Sequence, residues 1–272
     1  MPIITLSSDV GTQDFIIGAV KGQFVSAIAN IQLFDISHQL NKTNYPEAAY
    51  ICGNAFRFFP AGSIHIVLLN AFQSKNNHWI VAIHQQQLIA CPDNGILTMI
   101  TGEKPEKMIG VSFSKKDGFL GRTASLIKAL QQIIPKGDLS KGGTVVENIV
   151  EKYPLKPTIG NDWMEGQILF IDRFENVVVN IKFTEFEELR KGRTFKIVFK
   201  RNDTIEGISN HYADVAESEK MAFFNSAGYL EIAMNNGNMA GLFGLKGFTE
   251  KIQYPHNQSQ KLFYQTVRIF FE

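Results

Sequence analysis

Residues 3–6 form a short apolar run that stops at Ser7-Ser8-Asp9-Val10-Gly11, the pattern of a strand running into a polar turn. Phe15, Ala19, Val20, Phe24, Ala27 and Ile28 then recur at helical spacing, which predicts an amphipathic helix over 14–29. Residues 31–36 read as a strand. A helix is expected over about 45–58, with Pro46 in its first turn, where a missing N–H costs nothing. Residues 64–69 are apolar on neighbouring positions, as in a strand covered on both faces. Further strands are expected at 79–84 and 87–90, and a closing helix at 123–134. This alternation argues for a layered α/β sheet domain.

The pattern changes near residue 136. Gly, Ser and Lys gather over 136–143, and Lys152-Tyr153-Pro154-Leu155-Lys156-Pro157 reads as a linker. We expect a first domain over 1–152, a linker over 153–160 and a second domain over 161–272. Beyond the linker the apolar segments are short and strand-like: 167–171, 177–181, 194–200, 221–224, 229–233 and 262–271. Arg201-Asn202-Asp203, Asn225-Ser226-Ala227-Gly228 and Asn235-Asn236-Gly237 separate them as turns, the spacing of a small β-barrel or sandwich.

Composition narrows the class of partner. With 27 Lys+Arg against 26 Asp+Glu the net charge is +1, so no bulk field invites nucleic acid or an anionic membrane, and the expected ligand is small. The 22 Phe imply an aromatic-rich core or recognition of a flat ring. The two cysteines, Cys52 and Cys91, are too few for a disulfide scaffold and are expected as buried free thiols in a reducing compartment. No signal peptide and no apolar run of about 18 residues is visible, so a soluble cytoplasmic protein is expected. Dinucleotide, Walker, HExxH, CxxC and GxSxG motifs are absent, and the six histidines (38, 65, 78, 84, 211 and 256) show no metal-ligand spacing. His65 and His84 fall inside expected strands and are read as structural.

Four groups of residues could carry chemistry. Asp9, at the carboxyl end of the first strand, could accept two hydrogen bonds from a ribose diol or could cap the following turn. Cys91-Pro92-Asp93-Asn94-Gly95 is a rigid turn between strand and helix, or simple turn chemistry. Ile171-Asp172-Arg173-Phe174-Glu175-Asn176-Val177 places an acid, an aromatic face and an amide together; an amide can read an adenine edge, and a plain hairpin is the alternative. The segment 223–233, followed by Asn235-Asn236-Gly237-Asn238, is by itself another hairpin.

Taken in order, these motifs resemble the SAM hydroxide adenosyltransferase family, relatives of the SAM-dependent fluorinase and chlorinase. The family's Thr-Asp-Phe/Leu-Gly stands here as Ser8-Asp9-Val10-Gly11, and its Asp-x-x-His as Asp35-Ile36-Ser37-His38. Pro92-Asp93-Asn94-Gly95, Glu165-Gly166 before a strand, and Tyr212-Ala213-Asp214-Val215 recur. Ile-Asp-x-Phe-Gly-Asn recurs at 171–176 with Glu175 for the family's Gly, and Asn-Ser-x-Gly-Tyr-Leu-Glu-Ile-Ala at 225–233. The resemblance implies an N-terminal α/β domain, a C-terminal β-barrel and a homotrimer with the ligand site at the subunit interface. It implies SAM or adenosine as ligand, with no separate cofactor and no metal. Carried over by position, Asp9 would hold the ribose hydroxyls and Asp172 the amino group of the methionine part. Ser226 would hold that part's carboxylate or amine. Asn176 would bond the adenine edge, helped by backbone near Asn236, and Phe174 and Tyr212 would flank the ring.

The chain departs from the family at all three catalytic positions. Hydrolytic members carry Asp, Arg and His to activate water; the corresponding positions are Asn70, Asn77 and Leu120. The halogenases' Tyr at the first position is likewise missing, and an aromatic cap residue falls near Thr43. None of the three side chains can act as a general base. The expectation is a SAM- or adenosine-binding protein whose catalysis is weak or lost. The alternatives are an active SAM hydrolase with a relocated base, for which His78, Asp117 and Arg122 are the neighbouring candidates, and a structural or sensor homo-oligomer.

Overall fold

The computed structural model describes residues 1–72, 76–200, 203–244 and 265–272, and divides the chain into two compact units, Met1–Pro154 and Leu155–Glu272. Each is built around its own sheet.

In the first unit the chain runs β1 (Ile3–Ser8), α1 (Ile16–Ala27), β2 (Gln32–Ser37), α2 (Tyr45–Phe56), β3 (Ile64–Leu68), β4 (His78–His84), β5 (Gln87–Pro92), α3 (Ile96–Thr101), β6 (Lys107–Ser112), α4 (Phe119–Ile133) and β7 (Thr144–Val145). The strand order is β2-β1-β3-β5-β4-β6-β7. β1 lies parallel to β2 and β3, and β3 parallel to β5, whereas β4 pairs antiparallel with β5 and β6. Successive side chains of a strand point to opposite faces. Ile66 and Leu68 therefore join a core with Val20, Phe24 and Leu130 of α1 and α4, while Val67 and Leu69 join one with Ala48, Cys52 and Leu97 of α2 and α3. A sheet covered on both faces is what the unbroken apolar run at 64–69 requires. Cys52 and Cys91 are free and buried in the second of these cores. Burial pushes the Cys52 thiol up to about 12 and that of Cys91 higher still.

Helices begin and end within a few residues of their expected bounds, except that α4 starts at Phe119 rather than 123. α2 starts where expected because Asn44 caps it, Oδ1 accepting from the Glu47 N–H at 3.2 Å.

The second unit contains β8 (Thr158–Ile159), β9 (Trp163–Ile171), β10 (Val177–Lys182), α5 (Phe183–Arg190), β11 (Phe195–Lys200), β12 (Asp203–Ile205), β13 (Lys220–Phe224), β14 (Tyr229–Met234), α6 (Met239–Leu242) and β15 (Thr266–Phe271). The order β12-β11-β15-β9-β10-β14-β13 is antiparallel throughout, giving a nearly barrel-shaped sheet. Its two ends meet: the Ser209 N–H donates to Ala222 O at 2.8 Å, and Lys220 of β13 pairs with Asp203 of β12. Phe186 of α5 plugs the interior, with ring centroids 5.1 Å from Phe195 and 5.6 Å from Phe271. Thr158 and Ile159, inside the expected linker, pair with β9. Glu165 and Gly166 lie within β9 rather than before a strand; a Cβ at Gly166 would meet Val179 at 2.6 Å, so only glycine lets β10 approach so closely. Of the expected turn at 201–203 and strand at 262–271, residues 201–202 and 262–264 lie outside the described residues.

Candidate functional site

Each unit gathers carboxylate and amide groups at strand ends. In the first, parallel pairing sets Ser8 opposite Leu68, so the residues just past β1 and β3 are neighbours. The Asn70 N–H donates to Asp9 Oδ2 at 2.8 Å. Asn70 has φ 52°, a left-handed conformation that Asn tolerates better than most residues. Burial raises the Asp9 carboxyl above its ordinary range, against the pull of the Asn70 amide, its own amide and the Lys42 charge. Tyr45, at the start of α2, hydrogen-bonds the Asn70 side chain, and burial followed by the Asp9 charge raises its phenol. The Lys152 ammonium sits 3.6 Å from the centre of the Tyr45 ring.

The loop carrying Asp9 is pinned from β2. His38 Nδ1 lies 2.8 Å from Ser8 Oγ, and its Nε2 lies 3.0 Å from Asp35 Oδ1. Lys21 Nζ holds the other Asp35 oxygen at 2.6 Å. The Gly11 N–H donates to His38 O at 2.7 Å, and the Leu40 N–H to Ser8 O at 3.0 Å.

Asn77 and Leu120 serve other segments. Asn77 O accepts from the Phe113 N–H at 3.0 Å. Leu120 is half-buried against the α1/α4 core, and its carbonyl accepts from Gln23 Nε2 at 2.9 Å. Residues 73–75, between Asn70 and Asn77, lie outside the described residues. The neighbouring candidates for a base are engaged in holding loops. His78 Nε2 is buried 3.2 Å from Asp93 Oδ2, which also accepts from Asn76 Nδ2 at 2.7 Å, while Asp93 Oδ1 accepts from the Val150 N–H at 2.7 Å. Asp117 Oδ2 accepts from the Ser114 N–H at 3.0 Å, and Arg122 donates to Ala71 O at 3.2 Å and Asp117 O at 3.1 Å. Asn94 donates to Leu69 O at 2.9 Å and accepts from the Ile96 N–H at 3.2 Å, so both polar side chains of Pro92-Asp93-Asn94-Gly95 bind the chain itself. Thr43 bonds only Asn41 among the described contacts, its N–H at 3.0 Å and its hydroxyl at 2.8 Å.

In the second unit the β9–β10 turn is organised by Asp172, whose Oδ1 accepts from the N–H groups of Phe174 at 2.9 Å and Asn176 at 2.8 Å. Asn176 is 1% exposed. Its Nδ2 lies 3.3 Å from Asp172 Oδ2, 2.8 Å from Glu231 Oε1 of β14 and 2.5 Å from the Tyr212 hydroxyl. Its Oδ1 is buried and has no hydrogen-bond partner among the described residues. The Phe174 ring is 72% exposed and Tyr212 39% exposed, the Tyr212 ring standing edge-on to Phe223. Burial raises the carboxyls of Asp172 and Glu231, and each is raised further by a neighbouring carboxylate: Glu175 for Asp172, and Asp172 for Glu231. Ser226 is exposed in the β13–β14 turn, which Asn225 organises by accepting from the N–H groups of Ala227 at 3.0 Å and Tyr229 at 3.2 Å. Asn236 is exposed in the turn after β14 with φ 51°, and the Ala240 N–H beyond it donates to Glu175 O at 2.9 Å.

Asp172, Phe174, Asn176 and Tyr212 are thus brought together, Asp9 meets Asn70, and Ser226 and Asn236 occupy separate turns. Tyr45, His38 and Glu231 were given no individual role on sequence grounds; Asp35-Ile36-Ser37-His38 and the motif containing Glu231 were the signals that could have flagged two of them.

Two measurable consequences follow from this cluster. Glu175 holds φ 65°, a region that disfavours side chains, so Glu175→Gly should stabilise the protein by about 1 kcal/mol in urea denaturation. The raised carboxyls also set a pH dependence. Folded Asp172 and Glu231 keep protons at pH values where the unfolded chain has lost them, so stability falls as pH rises above the ordinary carboxyl range near ~4. Glu231→Gln should flatten that fall, as read from melting temperatures across a pH series.

A two-unit protein that joins a doubly covered α/β sheet to a nearly barrel-shaped sheet, with carboxylate–amide clusters at strand ends, is the class these observations define. Residues 4–127 match the SAM hydroxide adenosyltransferase N-terminal domain and residues 166–250 the C-terminal domain of the same family. The chain belongs to the SAM hydroxide adenosyltransferase family. It is 25% identical over 271 residues to the (R)-S-adenosyl-L-methionine hydrolase of Methanocaldococcus jannaschii, covering 96% of this chain and 92% of the relative. It is 24% identical over 283 residues to the fluorinase of Actinopolyspora mzabensis, covering 90% and 94%. The fold matches the crystal structure of an uncharacterized conserved protein from Thermotoga maritima with a TM-score of 0.78 at 21% identity, covering 99% of this chain and 100% of that one. No helix among the described residues is long and apolar enough to cross a membrane, and the described residues contain no group of His, Cys, Asp and Glu able to hold a metal.

Proposed function

We propose that this protein is a cytoplasmic homotrimer that binds SAM or adenosine, and that hydrolysis of SAM by it is weak or lost. The observation that carries this reading is the buried, unpaired Asn176 Oδ1 in the turn that also bears the exposed Phe174, with the Asn176 nitrogen on the Tyr212 hydroxyl. An unpaired buried acceptor costs about 1–3 kcal/mol, which a donor on a base edge would relieve. Phe174 and Tyr212 flank the adenine, with backbone near Asn236 assisting, and Asp9 takes the ribose hydroxyls. Asp172 meets the amino group of the methionine part, whose charge would offset the desolvation that raises this carboxyl. Ser226 holds the remaining polar end. By the family resemblance, the residues of one protomer's first unit and a neighbour's second unit share the ligand.

In the hydrolytic reaction water attacks C5′ of SAM and the sulfonium leaves as methionine. The leaving group is already good, so alignment and water exclusion are what the protein supplies. Asn70, Asn77 and Leu120 provide no proton acceptor, and His78 turns its buried Nε2 to Asp93, which supports a binder over a hydrolase with a relocated base.

Calorimetry with SAM and adenosine, with products followed by chromatography, tests the reading. Binding without turnover agrees with it, rapid product release points to a relocated base, and failure to bind either compound leaves a structural role. Light scattering should give a trimer at concentrations where ligand binds.

A further inference from the structure

The amide of Asn176 cannot choose which end it presents. Backbone N–H groups only donate, and those of Ala227 and Tyr229 both point at Asn225 Oδ1, at 3.0 and 3.2 Å. Asn225 must therefore direct Nδ2 outward, and it donates to Glu231 Oε2 at 2.8 Å. The other oxygen of Glu231 takes Asn176 Nδ2 at 2.8 Å. Asp172 Oδ2, 3.3 Å from the same nitrogen, favours the same orientation. Turning the Asn176 amide over would replace these contacts with oxygen facing oxygen. Polarity thus runs one way from the β13–β14 turn to Asn176, and only the acceptor Oδ1 is left for a ligand.

We propose that Glu231 is a specificity-determining positioning residue: it holds Asn176 as an acceptor, so that the site takes a purine with a 6-amino donor and rejects the 6-oxo counterpart. This rests on the adenosine-binding reading above. Tyr212 is 39% exposed with its hydroxyl 2.5 Å from the amide nitrogen, so a ligand that displaces this ring reaches the Asn176 amide. A purine amino group then donates to Oδ1, whereas a 6-oxo group sets two acceptors against each other.

The test is calorimetric titration of the whole protein with adenosine, inosine and purine riboside, which has no 6-substituent. Wild type should bind adenosine about 10–100-fold more tightly than inosine, with purine riboside between them. In Glu231→Gln the glutamine amide can turn over and release Asn176, and the adenosine preference should shrink to within about 3-fold. A merely structural Glu231 would weaken all three nucleosides alike and preserve the ratio. An unchanged ratio in folded Glu231→Gln overturns the inference. So does wild-type inosine binding as tightly as purine riboside, a comparison that decides the matter even if the variant fails to fold. Adenosine binding with either result leaves the adenosine site standing; failure of every nucleoside to bind removes that reading and this one together.

Discussion

Incubated with SAM, the unmodified protein should release adenosine and methionine about 10²–10⁴-fold more slowly than relatives with Asp, Arg and His at the positions of Asn70, Asn77 and Leu120, the usual contribution of a general base. Asn70 has no titrating group, its N–H is held by Asp9 and its side chain by Tyr45. Leu120 rests half-buried against the first unit's core. Oriented water can still attack a sulfonium-activated carbon, so a residual rate is compatible with this. Asn70→Asp alone should do little. Its backbone suits the exchange, since Asp shares Asn's tolerance of positive φ. A new carboxylate beside Asp9, however, would raise both groups until the cation of Asn77→Arg is present. The three restorations together should raise turnover, because groups that act as a unit are strongly non-additive. Chromatography of products decides it; wild-type turnover equal to that of the hydrolytic relatives would sink the argument, and His78 would be the first residue to mutate.

Asn176→Ala should weaken adenosine binding by about 1–3 kcal/mol, a factor of roughly 5–150. The substitution removes the buried, unpartnered acceptor Oδ1 and leaves the facing oxygens of Glu231 and Asp172 short of a donor. A lower melting temperature should accompany the loss, so affinity must be read at a temperature where the variant is folded. Undiminished adenosine affinity there would take Asn176 out of the site.

What the sequence revealed follows from how local each signal is. The wholly apolar β3 and the periodic α1 and α2 were legible because burial on two faces, or on one stripe, leaves a repeating mark. α3 was legible only as the helix expected after Gly95, its six residues being too few for periodicity, and α5 was not, because it turns one wholly buried side chain, Phe186, inward. The start of α4 was less legible because Gly118 is its N-cap and Gly121 lies in its first turn. At the site, the residue types stood in short motifs and could be placed by family resemblance. Their mutual contacts could not, since Asn176 meets Glu231 55 residues away and Asp9 meets Asn70 61 residues away. The polarity of the amide chain depends on the backbone of the β13–β14 turn, which no spacing encodes.

Both cysteines, Cys52 on α2 and Cys91 on β5, lie in one core of the first unit, and the second unit has none. Neither thiol can ionise or meet a reagent while that core is closed. Alkylation therefore clocks the opening of the first unit alone, whereas circular dichroism sees both sheets. Where cleavage of a labile region must be told from global unfolding, the two signals can be compared directly. If thiol trapping and loss of ellipticity share one denaturant midpoint, the units melt together; if trapping comes earlier, the barrel-like unit outlives its companion, and the carboxylate–amide cluster around Asn176 could be studied on it in isolation.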